Sequence, residues 1–372
     1  MSGTAGEREF AEFLDSAGVP QRRVIERMTG GGNNRVYRVT AEGFDGVLKA
    51  YFHHPDDPRD RLRAEFAFSR IAWEAGLRTL PHPLASDPNH HLGLYEFVPG
   101  RRLEPHEMDA SAVLQAAKFA VEVNRHKHTE AARALPAAAE ACFSLEAHLN
   151  CVTRRLRRLT DLHLHEVCGT DADIDRAAGE LVCDVLQPLF TELACETQRR
   201  AGRIGIDLRQ EVALEDRCLS PSDFGFHNAL TTPGGLKFLD FEYAGWDDPA
   251  KLACDFFCQP AVPAPHEYFA DFVAVLTARL SDPTMHAARI ELLLPVYQLK
   301  WCCILLNDFL PIDGRRREFA VESSAGGEEA RRARKAAQLR KADRMLAAFE
   351  ASWTRQSHSV RTLQRRTPYQ AA

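Results

Sequence analysis

The sequence predicts an α+β protein of two lobes, with a small antiparallel sheet lobe before a larger, mostly helical lobe. Short strand-like runs and one helix fill residues 1–100, and helical spacing dominates the rest. A Pro-Gly break at Pro99 and Gly100 separates the two regions. We therefore place the lobes at residues 1–100 and 101–353, followed by an unstructured basic tail at residues 354–372.

Composition restricts the class of protein. The chain has 372 residues, is 45% hydrophobic and 27% charged, and carries a net charge of −5, which gives no basic surface for nucleic acid. Ten irregularly spaced cysteines and an N-terminus without an apolar signal segment indicate reduced thiols in a cytoplasmic protein. No stretch reaches the roughly 18 consecutive apolar residues of a membrane span.

The N-terminal lobe is predicted from one helix and three strands. Residues Arg8 to Ala17 have the apolar spacing of a short helix. Val24 to Met28, Arg35 to Thr40 and Val47 to Phe52 are strand-like, with a turn at Gly43 to Gly46 between the second and the third. A hairpin pair of strands is therefore expected at the start of the chain.

The segment GGGNN, with Gly30, Gly31, Gly32 and Asn34, joins two of these strands. Its small side chains would let backbone N–H groups lie over phosphate oxygens. A triple glycine alone is more typical of a flexible hairpin tip. Lys49, in the next apolar strand, is either a surface residue or a charge directed at phosphate, and strand alternation does not decide between the two.

A helix from Arg59 to Gly76 and a strand from Leu92 to Val98 complete this lobe. Glu65, in that helix, is either an exposed acid or a partner of Lys49. The order of a strand lysine followed by a helix glutamate favours the pair.

Helical spacing extends through most of the remaining chain, with a loop at Gly314 to Ala325. A basic run from Arg154 to Arg158 is predicted to be a solvated helix face. Neither the His163 and His165 pair nor the Cys254 and Cys258 pair is predicted to bind a metal. The predicted helices are Ala110 to Lys127, Pro136 to Leu159, Ile174 to Arg200, Pro265 to Leu280, Ala287 to Phe309 and Gly327 to Trp353.

The stretch from Leu219 to Asp255 carries the candidate chemistry. Asp223 and Asn228 precede a Pro-Gly-Gly turn and a short apolar run that ends at Asp240, so a hairpin would gather three oxygen-bearing side chains. Phosphoryl transfer to a hydroxyl needs a carboxylate beside the hydroxyl, oxygen ligands for Mg²⁺ and a cation near the donor phosphates. Asp223 suits the first role, Asn228 and Asp240 the second, and Lys49 the third. Alone, Asp223 and Asn228 would indicate an Asx-rich turn.

These motifs resemble those of the aminoglycoside phosphotransferase and choline kinase-like family, which shares the protein-kinase fold. SDFGFHN, from Ser222 to Asn228, is similar to its catalytic loop, and FLDFEYAGWDDP, from Phe238 to Pro249, to its metal-binding segment. GGGNNRVYRV, from Gly30 to Val39, is similar to its nucleotide loop, and LYEFVPG, from Leu94, falls at its hinge. The resemblance extends from Val24 to Asp308.

The resemblance implies a role for each residue. Asp223 would be the catalytic base, Asn228 and Asp240 the Mg²⁺ ligands, and Lys49, paired with Glu65, would hold the phosphates of ATP. Asp255 would brace the catalytic loop, although an ordinary surface acid would fit that position equally well. The remaining ATP-binding positions that the resemblance implies are Gly30, Gly31, Gly32, Asn34, Glu96 and Val98.

One position departs from the family pattern. The histidine that opens the family's catalytic motif falls at Pro221. Proline has no backbone N–H, so we expect the catalytic loop to be supported differently. His227, next to Asn228, is the candidate to replace the missing imidazole.

The sequence therefore predicts an ATP- and Mg²⁺-dependent kinase that phosphorylates a hydroxyl of a small molecule, such as an aminoglycoside, a sugar or an amino alcohol. A nucleotide-binding pseudokinase or regulatory scaffold without turnover is the alternative. A protein kinase is disfavoured, because Asp240-Phe241-Glu242 stands where protein kinases have Asp-Phe-Gly. The acceptor and the oligomeric state stay open, and the acceptor is expected on helices of residues 105–215 and 265–309.

Overall fold

A five-stranded antiparallel sheet forms the N-terminal part of the computed structural model, which describes residues 5–28, 32–160, 171–320 and 327–364. The small antiparallel sheet expected from the sequence is confirmed. The elements of this part are α1 (Ala5–Ser16), β1 (Arg23–Met28), β2 (Arg35–Ala41), β3 (Phe44–Ala50), α2 (Arg61–Glu74), β4 (Pro83–Asp87) and β5 (Leu92–Glu96). Their strand order is β1-β2-β3-β5-β4, so β4, which the sequence analysis does not predict, lies at an edge, where its proline is tolerated.

The two faces of this sheet pack against different helices. On one face, Leu48 of β3 and Leu94 of β5 are buried with Phe13 and Leu14 of α1. On the other face, a smaller buried cluster joins Tyr51 and Tyr95 to Leu62 of α2. Because side chains alternate along a strand, Lys49 is on the face opposite Leu48, toward α2. The packing of the sheet therefore decides the orientation that the sequence left open.

The rest of the chain is mainly helical, as predicted, with short strands between the helices. A 3₁₀ turn, Phe226–Asn228, precedes β7, and a π-helical segment, Leu181–Leu186, precedes α7. The remaining elements are α3 (Ala110–Val123), α4 (Glu130–Arg133), α5 (Leu145–Thr160), α6 (Ala172–Glu180), α7 (Gln187–Arg203), β6 (Cys218–Ser220), β7 (Ala229–Thr232), β8 (Gly235–Phe238), β9 (Gly245–Asp247), α8 (Pro249–Cys258), α9 (Phe269–Thr277), α10 (Pro283–Leu305), α11 (Pro311–Ala320) and α12 (Glu328–Gln364).

The chain forms two compact units. The first comprises Met1–Ser144, Gln210–Ile290 and Pro311–Ala325, and it contains all nine strands of the described residues. The second comprises Leu145–Arg209, Glu291–Leu310 and Gly326–Ala372. The lobe boundary proposed at residue 100 thus lies within the first unit, which also holds every candidate site residue.

Ion pairs connect the helices within the second unit. Arg332 of α12 forms a bidentate pair with Asp173 of α6, and Lys335 lies 2.7 Å from Asp175. On α5, three arginines of the basic run (154, 157 and 158) are exposed, as expected for a solvated face. His163 and His165 lie outside the described residues.

Helix α11 replaces a predicted loop. The glycine at position 314 indicated a break, but Pro311 opens the helix, a position where proline is favoured. Two arginines of the sheet donate hydrogen bonds to carbonyls at its C-terminal end: Arg35 Nε to Phe319 O at 2.9 Å and Arg27 Nη2 to Ala320 O at 2.5 Å. These tertiary hydrogen bonds outweigh the roughly 1 kcal/mol that a glycine costs inside a helix. Helix α12 also continues past its predicted end at Trp353, to Gln364.

One long helical segment has the composition of a membrane span. Within the described residues, Pro283–Phe309 is long and apolar enough, with a mean hydropathy of 1.3 over its best window, and 67% of that window is buried. Length and composition are weak evidence here, because the buried core helix of a soluble protein meets the same criteria. The nine cysteines of the described residues are free thiols.

Candidate active site

A β-hairpin brings two of the predicted oxygen ligands together. Strands β7 and β8 pair with Ala229 opposite Phe238, and the Leu239 N–H extends the ladder by donating to Asn228 O at 2.8 Å. Asn228 and Asp240 therefore flank the open end of the hairpin. At its closed end, Gly235 has φ +102°, a conformation that favours glycine.

Lys49 belongs to this cluster and is not a surface residue. Its Nζ lies 2.7 Å from Glu65 Oε1 and 2.9 Å from Asp240 Oδ1, and its side chain is only 13% exposed. The other oxygen of Glu65 accepts a hydrogen bond from Tyr51 at 2.7 Å, and Tyr51 also contacts the hydroxyl of Tyr95. Burial opposes the charged amine, but the carboxylates of Asp240 and Glu65 raise the pKa of Lys49 above its ordinary value. The lysine therefore stays protonated beside Asp240.

Asp223 is joined to the hairpin through Asn228 and has a histidine at its carboxylate. Asn228 Nδ2 donates to Asp223 O at 3.0 Å, and His227 Nε2 lies 3.3 Å from Asp223 Oδ1. Burial alone would raise the pKa of Asp223, but the hydrogen bond and charge of His227, with Lys251 and Arg317, hold it below its ordinary value. Asp223 is therefore ionised at neutral pH.

Gly225 supplies the space that the histidine ring occupies. A Cβ atom at Gly225 would lie 2.8 Å from His227 Nδ1, closer than real Cβ contacts. The same Nδ1 is buried and has no hydrogen-bond partner within the described part of the chain. The ring is thus held by packing on one side and by Asp223 on the other.

A buried lysine supports the segment that precedes Asp223, next to Pro221. Lys251 Nζ donates to Ser222 Oγ at 2.8 Å and lies 2.9 Å from Asp247 and 3.1 Å from Asp255. Burial opposes its charge, yet these two carboxylates raise the pKa of Lys251 well above its ordinary value. Asp255 is 2% exposed, so it is not a surface acid, and it reaches the loop through Lys251. The sequence analysis does not predict a role for Lys251, because no recognisable motif marks this position.

Two residues of the site have backbone conformations that are rare for residues other than glycine. Ser222, directly before Asp223, has φ +67°, and Asp240 has φ +66°. Such conformations cost about 1–3 kcal/mol each and persist only where the surroundings hold them. At Ser222 the Lys251 bond and the Ser220 Oγ, which accepts the Ser222 N–H at 3.0 Å, provide that hold.

The described end of the glycine loop is tied to Glu242. Asn34 Nδ2 donates to Glu242 Oε2 at 2.7 Å, and its Oδ1 accepts the Phe52 N–H at 3.2 Å. Asn33 also donates to Glu242, and Arg61 Nε lies 3.4 Å from it. The Asn34 side chain, predicted to bind nucleotide, is thus already paired with protein. Gly30 and Gly31 lie outside the described residues, whereas Gly32 is exposed.

The predicted hinge residues Glu96 and Val98 lie at the end of β5 and just after it. Glu96 is the last residue of β5, opposite Gly46, and its carboxylate accepts the His82 N–H at 3.1 Å. Val98 is buried, 7% exposed. In the part of the chain that the structure describes, neither residue shares a hydrogen bond with Lys49, Glu65 or Asp240.

The donor set fits Mg²⁺ better than a metal that requires a full protein cage. Among the described residues no three His, Cys, Asp or Glu side chains converge as a metal site. Mg²⁺ takes one or two carboxylates, with water and phosphate oxygens as its other ligands. Asp240 uses one carboxylate oxygen for Lys49. Asn228 uses its amide nitrogen for Asp223 O, which leaves its carbonyl oxygen as a hard ligand.

Comparisons with known proteins identify a family model and solved structures that are similar to this chain. A family model, described as a phosphotransferase enzyme family, matches residues 24–290. Similar solved structures include a choline/ethanolamine kinase family protein from Mesorhizobium loti, with 18% identity, coverage of 93% of this chain and 99% of that chain, and a TM-score of 0.50. Choline kinase from Streptococcus pneumoniae has 12% identity, covering 93% and 100%, with a TM-score of 0.52.

A spectinomycin phosphotransferase in complex with ADP and spectinomycin is a third similar structure, with 10% identity, coverage of 91% and 98%, and a TM-score of 0.56. At these identities the similarity shows the fold alone, and it confirms the predicted protein-kinase-like architecture. A search of curated proteins finds no match.

Proposed function

Because the chain belongs to the phosphotransferase enzyme family, we propose that it transfers the γ-phosphoryl group of ATP to a hydroxyl of a small molecule, with Asp223 as the catalytic carboxylate. One observation carries the proposal: Lys49 contacts both Glu65 and Asp240, while Asn228 joins the Asp240 hairpin to Asp223. A charge for the donor phosphates, two metal ligands and an ionised carboxylate therefore belong to one connected set.

In the proposed reaction, Asp223 orients the acceptor hydroxyl and accepts its proton as the oxygen bonds to the γ-phosphorus. The bond from that phosphorus to the bridging oxygen of ADP breaks. The lowered pKa of Asp223 makes it a weak base, which suits a loose transition state in which the hydroxyl loses its proton late. Asp223 therefore orients the hydroxyl first and takes its proton late in the transfer.

Lys49 lies near the donor phosphates in this proposal, and Glu65 keeps it in place with the two tyrosines behind it. Asn228 and Asp240 would hold Mg²⁺, which supplies positive charge against the phosphate oxygens when it is bound. Glu96 and Val98 stay proposed for the adenine, and Gly30, Gly31 and Gly32 for the phosphates.

An acceptor screen tests the proposed activity. Purified protein with Mg²⁺ and ATP is incubated with aminoglycosides, sugars and amino alcohols, and ADP release is followed together with the mass of the product. We expect acceptor-dependent ADP formation with at least one class. A protein that binds Mg²⁺-ATP but releases no ADP with any class would instead support the pseudokinase alternative.

His227 is expected to keep the pKa of Asp223 low. Since the ionised carboxylate is the active form, His227→Gln should raise that pKa, so that activity is lost at a higher pH on the acidic side than in the wild type. We expect kcat to fall about tenfold, the effect of one charge-assisted hydrogen bond. The pH dependence of kcat/KM measures the shift.

Gly225→Ala provides an independent version of this experiment, because it keeps the histidine but displaces its ring. The φ of Gly225 is near 180°, so alanine strains the contact and not the backbone. Gly234→Ala is the matched control, since its Cβ would lie 3.8 Å from the nearest atom. If the fall of kcat/KM at acidic pH is the same in His227→Gln, in Gly225→Ala and in the wild type, the imidazole does not lower the pKa of Asp223.

A further inference from the structure

Helix α11 reaches the nucleotide-loop end of the sheet within the first compact unit. Its C-terminal carbonyls accept hydrogen bonds from Arg27 and Arg35, and the ring of Phe319 packs edge-on against Phe52, with centroids 5.6 Å apart. Along the same helix, Arg315 lies 3.0 Å from His54 Nε2. A segment distant in sequence therefore docks beside the predicted phosphate loop.

Arg317 extends from this helix to the loop itself. Its Nη1 donates to the Gly32 carbonyl at 2.8 Å and to Asn33 Oδ1 at 3.2 Å. A Cβ atom at Gly32 would lie 2.1 Å from that nitrogen. Any other residue at this position would therefore displace the guanidinium. Asn33, in turn, donates to Glu242, two residues after Asp240. The arginine is thus connected through the loop to the metal-binding segment.

The charge of Arg317 also acts on the other side of the site, where it contributes to lowering the pKa of Asp223. The guanidinium therefore lies within electrostatic reach of the catalytic carboxylate while it is bonded to the glycine loop. In the proposed reaction the acceptor hydroxyl is bound at Asp223, so the γ-phosphoryl group reaches the end of the site on which this charge acts. Lys49, the cation on the donor side, is held at Glu65 and Asp240 instead.

We propose that Arg317 is a second phosphate-binding cation, which contacts the γ-phosphoryl group of the donor and stabilises its charge during transfer. The inference rests on the proposed function and adds a residue to it. A guanidinium is suited to this task, because its planar fork of N–H donors matches phosphate oxygens. An arginine supplied within the chain has this effect in other phosphoryl-transfer enzymes.

The contact with the γ-phosphoryl group separates this role from a purely structural one. A latch that only orders the glycine loop would affect ATP and ADP alike. Removing a residue that binds the γ-phosphate should weaken the binding of ATP and leave the binding of ADP unchanged. Comparing the affinities of a non-hydrolysable ATP analogue and of ADP, each with Mg²⁺, therefore tests the proposal without relying on turnover.

For Arg317→Ala we expect the affinity for the ATP analogue to fall about tenfold or more, the effect of a hydrogen bond to a charged group, and the affinity for ADP to change less than about threefold. The value of kcat should fall by about 10³-fold or more, the range known for a transition-state arginine. Arg317→Lys keeps the charge without the fork, so we expect it to recover part of the loss. Arg315→Ala is the matched control: Arg315 is exposed, lies two residues before Arg317 on the same helix, and its loss should leave both affinities unchanged.

Thermal unfolding of each variant shows whether the fold is retained. Equal losses for the ATP analogue and ADP in folded Arg317→Ala would overturn the inference and indicate a loop latch, and unchanged affinities would overturn it as well. If Arg317→Ala does not fold, the ratio in Arg317→Lys decides, since an unchanged ratio there contradicts a fork-specific contact. If the wild-type chain binds neither nucleotide, the proposed function is wrong. If it binds both, the results for the variants bear on the role of Arg317 alone.

Discussion

Asp223→Asn is expected to lower kcat by about 10²–10⁴-fold, the usual contribution of a positioned general base. Asparagine has the shape of the carboxylate but cannot accept the hydroxyl proton, and its amide can present an N–H where an acceptor is needed. The loop itself should survive, because the bond from Asn228 goes to the Asp223 backbone oxygen and not to its side chain. Nucleotide affinity should therefore stay close to the wild-type value.

Steady-state turnover with the best acceptor of the screen, combined with titration of Mg²⁺-ATP binding, checks this expectation. Asp271→Asn is the matched control, since Asp271 is exposed on α9. Retained turnover in Asp223→Asn would remove Asp223 from the reaction. A loss of nucleotide binding equal to the loss of turnover would make it a structural residue.

Lys251→Met is expected to cause the largest loss of stability, about 3–5 kcal/mol, because it removes the ammonium group that pairs with two buried carboxylates. Asp247 and Asp255 both lie within 3.1 Å of the amine. Methionine fills the volume of the lysine stem, so the effect is mainly electrostatic. The Ser222 hydroxyl also loses its donor, and the strained conformation before Asp223 is then less well held.

Urea unfolding at neutral pH measures this loss. Neutralising the acids as well, in Asp247→Asn/Lys251→Met/Asp255→Asn, should recover much of it, because no uncompensated charge then remains buried. Lys118→Met, at an exposed position of α3, should stay within about 0.5 kcal/mol of the wild type. If Lys251→Met is as stable as Lys118→Met, water reaches the two carboxylates and the prediction is wrong.

The residues that could be predicted from sequence are those whose chemistry is concentrated in short motifs. Asp223, Asn228 and Asp240 lie within one stretch, and the Pro-Gly-Gly turn between them already implied the hairpin that the structure contains. For Lys49 the sequence offered two orientations, since strand alternation has two faces. The packing of α1 on one face and α2 on the other decided between them.

The supports of the site could not be predicted, because they come from positions that are distant in sequence or lack a motif. Pro221 showed that a support was missing, but not that Lys251 replaces it. Gly314 concealed α11, whose stability depends on hydrogen bonds from arginines nearly three hundred residues away. The sequence therefore places Arg317 in a loop and does not predict its hydrogen bond to the Gly32 carbonyl.

The left-handed backbone of Ser222 and Asp240 limits which sequences can evolve at these positions. Residue 222 must be small and must adopt a positive φ. Glycine, asparagine and aspartate meet these conditions, whereas β-branched residues such as valine do not. At 240 only aspartate and asparagine combine that backbone with a hard oxygen. Glutamate would keep the charge but lose the local tolerance. A survey of natural variants at 222 should therefore show glycine or small polar, unbranched side chains even where the rest of the loop has diverged.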